Sequence, residues 1–188
     1  MTSTQRHHVV LVSPNGEPQG IAEKLEAHQQ GWLHMAFSVM LFRCNANGER
    51  EYLLQRRAAD KYHSGGLWTN TCCSHPKQDE PIAAAAKRRL YEELGIARPL
   101  NFMMGPWFEY RAELGNGLIE HELDQVIACE VNRVDMILNP DEVEDCRWWL
   151  ESEVRQAVAE SPERFTAWFE QVLTRIHAMV ELPTASQI

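Results

Sequence analysis

Helical periodicity is strongest over residues 82–94, IAAAAKRRLYEEL, where Ile82, Ala83, Ala86, Leu90 and Leu94 recur on one stripe. Asp79 is placed to cap this helix, Pro81 suits its first turn, and Gly95 supplies the stop. On the helical wheel Arg89 and Glu93 lie one turn apart on a shoulder of the stripe and face a buried site. Arg88 and Glu92 fall nearly opposite and are expected to form an exposed i,i+4 pair. Strand-like runs occupy 9–12, 33–43, 51–57, 100–112 (broken at Gly105-Pro106), 118–131 and 143–149. Turn signals stand at Asn15-Gly16, at 45–48 and at 115–117. Residues 21–28 read as a short helix or a loop, and 58–66 as a loop carrying Lys61. A second loop runs from Trp68 to the helix. Residues 150–160 have helical character, and Ser161-Pro162-Glu163 opens a further helix to about residue 180. The ends, 1–6 and 182–188, read as flexible. With no repeat and no linker, residues 1–188 are expected to form a single domain. Mixed strands around one central helix predict a layered α/β fold.

Composition narrows the function. A net charge of −9 argues against nucleic acid as a partner. No apolar run approaches the roughly 20 residues that span a bilayer, and the N-terminus lacks a signal-peptide pattern, so a cytoplasmic protein with no membrane partner is expected. Five cysteines form an odd set without C-x-x-C spacing, which fits reduced cytosolic thiols. Cys72 and Cys73 stand apart from the others, in a polar loop beside His75.

Glu120 and Glu122 are two apart on a predicted strand and share a face, with His121 on the other. Two carboxylates on one face repel unless a cation or a proton lies between them. With His28, His34 and His75 they make a donor set suited to Mn²⁺ or Zn²⁺ and open to Mg²⁺. Spacing alone leaves open that the histidines are scattered surface residues and that 120–122 is a solvated strand face.

The stretch 74–96 resembles the Nudix box, a frame of Gly, five residues, Glu, seven residues, then Arg-Glu-aliphatic-x-Glu-Glu-x-Gly-aliphatic. Here Ser74, Glu80, Arg88, Leu90, Glu92, Glu93, Gly95 and Ile96 take the frame's positions. Ser74 replaces the opening Gly, and Arg89 replaces the Glu after Arg88. Those departures, with TNTCCSHP at 69–76, EHE at 120–122 and paired histidines near residue 30, resemble the type I isopentenyl-diphosphate isomerases from Lys24 to Trp168.

The resemblance implies a Nudix-type α/β/α sandwich with a mixed β-sheet. It implies a metal site of His28, His34, His75, Glu120 and Glu122, and a Mg²⁺ held by Glu93 together with the substrate diphosphate. It implies proton transfer by Cys73 and Glu122, with Tyr110 hydrogen-bonded to that Glu and Trp168 facing a carbocation-like centre. Lys24, Arg57, Lys61 and Arg89 match positions that grip the diphosphate, the local basic cluster an acidic protein needs for such a ligand. The implied partner is a small allylic or homoallylic diphosphate, and the implied state a monomer or weak homodimer. A Nudix hydrolase of a nucleoside diphosphate derivative is the competing reading. Arg89 counts against it, because such hydrolases need several carboxylates on that helix to hold metal.

Overall fold

The computed structural model describes residues 8–181; the expectations for the two chain ends lie outside them. Strand β3 (His34–Cys44) is the axis of a mixed sheet. It pairs in parallel with β8 (Leu118–Glu130) from His34↔Glu122 to Phe42↔Glu130. It also pairs antiparallel with β6 (Cys72–Ser74) and, further along, with β4 (Arg50–Arg57). β7 (Met103–Gly115) lies antiparallel on β8, and β9 (Val143–Leu150) on β4. β1 (His8–Val12), β2 (Pro18–Glu23) and the two-residue β5 (Trp68–Thr69) complete the sheet.

Alternation along the strands divides the core into two layers. Phe37, Val39, Leu41, Leu53, Ile127 and Cys129 pack with Ala85, Ala86, Leu90 and Leu94 of α2 (Ile82–Leu94). Met40, Phe42, Tyr52, Leu54, Val126 and Ala128 pack with Val154 of α3 (Glu151–Glu160) and with Phe169, Val172 and Ile176 of α4 (Phe169–Glu181). Helices thus cover both faces of a mixed sheet, as expected. Positions 34, 36 and 38 share the side of Met40, and 120, 122 and 124 share the side of Val126. The polar stretches of both strands therefore continue the α4 face beyond its apolar core.

Five local readings need correction. Asp79 does not cap α2. It sits at φ 60°, Pro81 is the N-cap residue, and no side chain caps the helix. Glu80 acts just upstream instead, accepting from the Lys77 amide at 2.8 Å and from Arg88. Arg88 does pair with Glu92 at 3.3 Å, but it is half-buried and holds Glu80 more closely, at 2.8 Å. Residues 21–28 contain the end of β2 and the start of α1 (Lys24–Gln30), and the loop before α2 contributes β5 and β6. Finally, the C-terminal helix does not begin at Ser161. A 3₁₀ turn (Pro162–Arg164) is followed by extended chain, and α4 starts at Phe169. Tertiary bonds override helix propensity there: the Thr166 amide donates to Trp68 O at 3.0 Å, and the Thr166 hydroxyl to Thr69 Oγ1 at 2.9 Å. That pin fixes Trp168.

Candidate active site

Strand register builds the site. His34 stands opposite Glu122 across the parallel β3–β8 pair, and Tyr110 stands opposite the same Glu122 across β7–β8. Ser38 stands opposite Cys73 across β3–β6. Cross-strand neighbours share a face at about 5 Å, so four strands converge on one patch. His28 comes from the last turn of α1 and is fully buried. The chain turns back there at Gly31, with φ 66°, where a Cβ would lie 3.1 Å from Ile119 Cγ2.

The imidazoles are oriented for ligation. His28 Nδ1 donates to Lys24 O at 2.7 Å and His34 Nδ1 donates to Trp32 O at 2.8 Å, which leaves each Nε2 free and aimed inward. His75 Nε2 lies 2.9 Å and His34 Nε2 3.5 Å from Glu122 Oε1, and His28 Nε2 lies 4.0 Å from Glu120 Oε1. Ligand atoms of His28, His34, His75 and Glu122 all fall within 4.8 Å of one another. Burial holds His28 down at about 4 and His75 at about 3, so both are neutral and able to ligate at pH 7. Burial and then the charge of Glu122 raise Glu120 well above the usual carboxylate range. Burial works the same way on Glu122, but the imidazoles of His34 and His75 overcome it and keep Glu122 ionised. Within the described residues His28 Nε2, His34 Nε2 and Glu120 Oε2 are buried without a hydrogen-bond partner. Buried polar atoms are normally paired, and three converging exceptions fit a divalent cation.

Cys73 faces this group from β6, whereas Cys72 points into the α2-side core. Cys73 Sγ lies 2.9 Å from Asn70 Oδ1, which accepts from the thiol. Asn70 is fixed by its Nδ2, which donates to Val39 O and Cys72 O. Trp168 Nε1 donates to the sulfur at 2.9 Å, and Ser38 Oγ lies 3.2 Å from it while donating to Asp124 Oδ2 at 2.7 Å. Burial, then the charge of Asp124, pushes the Cys73 thiol up, so it is protonated at pH 7. Tyr110 donates to Glu122 Oε2 at 2.9 Å. A cavity of about 30 Å³ between Cys73 and Glu122 is also walled by Lys24, Arg57, His63 and Trp168. That is about the share of one water, far below the several hundred Å³ of a typical ligand pocket.

The remaining sequence candidates form a neighbouring cluster on the α2 side. Arg89 bonds Glu93 at 2.7 Å and Glu92 at 2.7 Å and lies 3.3 Å from Glu142, which also holds Lys61. Glu93 accepts from Gln55 as well, at 2.9 Å. Lys61, Arg89 and Glu93 therefore do not line the cavity. The charges of Arg57, Lys61 and Arg89 nonetheless reach Lys24, whose ammonium is lowered to about 8, chiefly by burial and then by these cations. Sequence reasoning missed Ser38, Asn70, His63, Asp124 and Glu142. The period-2 series Glu120, Glu122, Asp124 was the available signal for Asp124; nothing marked His63, whose place depends on how a loop folds.

The fold and site define the class. The NUDIX domain family matches residues 32–169. A Deinococcus radiodurans protein of known structure superposes with a TM-score of 0.70 at 14% identity, over 90% of this chain and 99% of that one. The NUDIX domain of a Shewanella oneidensis protein superposes with a TM-score of 0.62, also at 14% identity, over 78% of this chain and 87% of that one. At such identities these likenesses speak for the fold alone. Curated relatives go further. The isopentenyl-diphosphate Delta-isomerase of Aliivibrio fischeri strain MJ11 is 48% identical over 176 residues, 90% of this chain and 97% of that protein. The enzyme of the same description from Photobacterium profundum is 50% identical over 165 residues, 88% of this chain and 91% of its own. The chain belongs to the isopentenyl-diphosphate Delta-isomerase family of the NUDIX superfamily.

Proposed function

We propose that the chain interconverts isopentenyl diphosphate and dimethylallyl diphosphate. The observation that carries this is the placement of Cys73 and Glu122 on one small cavity that Trp168 also lines. The reaction adds a proton to the terminal alkene carbon and removes one from the carbon on the other side of the tertiary centre, so protons balance. An unactivated alkene needs a positioned donor and acceptor in a site free of bulk water. Cys73 and Glu122 are proposed as that pair. Tyr110 holds one oxygen of Glu122 in place, and Ser38, Asn70 and Trp168 hold the sulfur. The face of Trp168 would favour the developing positive charge by roughly 2 kcal/mol where water is excluded.

His28, His34, His75, Glu120 and Glu122 fit a divalent ion, with Mn²⁺ favoured by the nitrogen-rich set and Mg²⁺ or Zn²⁺ as alternatives. A bound ion would keep both glutamates ionised and tune the acidity of Glu122. Lys24 and Arg57 would grip the diphosphate, and Lys61 and Arg89 would extend that grip from the α2 side. Glu93 would take a Mg²⁺ against the diphosphate only by releasing Arg89 or Gln55, its present partners. The chain is proposed to work in the cytoplasm on this small diphosphate, without nucleic acid or membrane, as a monomer or weak homodimer. No helix of the described residues is long and apolar enough to cross a membrane. Hydrolysis of nucleoside diphosphates is not favoured, because Arg89 engages Glu92, Glu93 and Glu142 and leaves no helix carboxylate free for a hydrolytic metal. Incubating the protein with isopentenyl diphosphate in D₂O and following it by NMR tests the reading. Dimethylallyl diphosphate and deuterium incorporation are expected; absence of both would sink it.

A further inference from the structure

The family resemblance implies five donors to a metal, and the fold places a further imidazole, His63, beside them. His63 sits in the loop between β4 and β5 and is buried, with its side chain 5% exposed. The loop is shaped to turn it inward. Ser64 takes φ 52°, and Gly65 has backbone where a Cβ would be, 2.3 Å from Ala59 O. His63 Nδ1 pairs with Ser64 Oγ at 3.2 Å, so Nε2 is the inward nitrogen. That Nε2 lies 3.9 Å from Glu120 Oε1, too far for a hydrogen bond. Ligand atoms of His28, His63 and Glu120 all fall within 4.8 Å of one another. Donors on one octahedral ion with bonds of about 2.1 Å stand about 3 Å apart when cis and about 4 Å when trans, so the spacing within this trio suits a shared cation, and an ion shared with the separate His34, His75 and Glu122 group has to draw the two groups together.

His28 belongs to both donor groups, yet it has one free nitrogen, because Nδ1 is spent on Lys24 O. Two separate ions cannot both use it. We infer that His63 is a direct ligand of the same ion, which then has four imidazole nitrogens and two carboxylates around it. Glu120, on the His63 side of His28, and Glu122, on the His34 and His75 side, close the sphere. So nitrogen-rich a shell discriminates against Mg²⁺ in favour of Mn²⁺ and later transition ions.

The inference rests on reading this site as a divalent-metal centre, and metal-stripped full-length protein reloaded with Mn²⁺ tests the two separately. One ion per chain is expected, with four coordinated nitrogens by pulsed EPR. His63→Gln should keep one ion but show three nitrogens and a Kd raised about 10- to 100-fold. Unchanged nitrogen count and affinity in His63→Gln overturn the assignment, as does a wild-type count of three, which decides the matter even where the variant fails to fold. Two ions per chain overturn the single shared sphere. A wild-type chain that binds no divalent ion overturns the metal reading itself.

Discussion

The two faces of the sheet each bury a cluster of charged groups, and they balance charge in opposite ways. On the α2 side each carboxylate already has a cationic partner: Glu93 and Glu92 hold Arg89, and Glu142 holds Lys61 and lies against Arg89. On the α4 side the acids face imidazoles, and two of those imidazoles and an oxygen of Glu120 lack partners among the described residues. A closed ion-pair network needs nothing more. A converging set of buried, unpaired donors is costly unless something binds there. The proposed metal site is thus distinguished by what its own residues leave unsatisfied, and the adjacent cysteines Cys72 and Cys73 straddle the divide.

The largest effect should come from separating those cysteines. Cys73 touches Asn70, Ser38 and Trp168 on the open side, whereas Cys72 is fully buried among Leu90, Leu94 and Ile127. Cys73→Ala should cut turnover by on the order of a thousandfold or more, with the fold intact by circular dichroism. Cys72→Ala should keep most of the turnover and lose about 1 kcal/mol of stability as a small core cavity. Equal kinetic losses in the two variants would erase the distinction between the faces.

Arg89 tests the closed side. Its contacts show that it serves the fold as well as any ligand, since it neutralises Glu93, only 3% exposed. Arg89→Ala should raise the substrate KM about 10- to 100-fold with a smaller fall in kcat, the loss of a charge-assisted phosphate contact. It should also lower stability by about 3–5 kcal/mol, because a buried carboxylate loses its partner. Chemical denaturation separates the two effects. Pairing the change with Glu93→Gln should recover stability without recovering KM. An Arg89→Ala protein with normal KM would confine this cluster to a structural role.

How much of this was readable in the sequence depended on how far apart the interacting residues lie. Period-2 alternation set Glu120 and Glu122 on one face, and the register then supplied Tyr110 and His34 as neighbours of Glu122. The helix 82–94 and its buried shoulder were likewise local. Three features were not set by periodicity. The break before Trp168 comes from Thr166 bonding Trp68 and Thr69, nearly a hundred residues earlier, against a helical sequence. The Asp79 cap failed because Glu80 is drawn to Arg88 and the Lys77 amide. His63 owes its place to a loop with a left-handed Ser64, which no periodicity encodes. The wheel placed Arg89 and Glu93 correctly on a buried shoulder, but it could not say that they would bind each other, or that Glu142 would join them from another part of the chain.

The smallest predicted effect concerns Lys24, where the two clusters meet electrostatically. Its ammonium is half-buried beside the open site and is depressed from 10.5 to about 8 by burial first, then by Arg57, Lys61 and Arg89. A depressed lysine loses its charge as pH rises through that lowered value. Above about pH 8 the free enzyme would therefore present a neutral amine to the diphosphate, where an ordinary lysine would stay charged for two more units. Several other shifted groups of the site do not titrate there: burial holds His28, His75 and His63 at about 4, 3 and 2, and it pushes Cys73 and Tyr110 upward. kcat/KM, which reports the ionisations of free enzyme, should fall above pH 8 by up to about tenfold per unit. The fall should sit in KM rather than kcat, because bound diphosphate restores the charge on Lys24. Lys24→Arg keeps its charge throughout this range, so its profile should stay level to pH 9.5, even where its absolute activity is lower. A wild-type profile level to pH 9.5, or the same break near pH 8 in Lys24→Arg, would show that the basic residues of the α2 side do not act on the open site through Lys24.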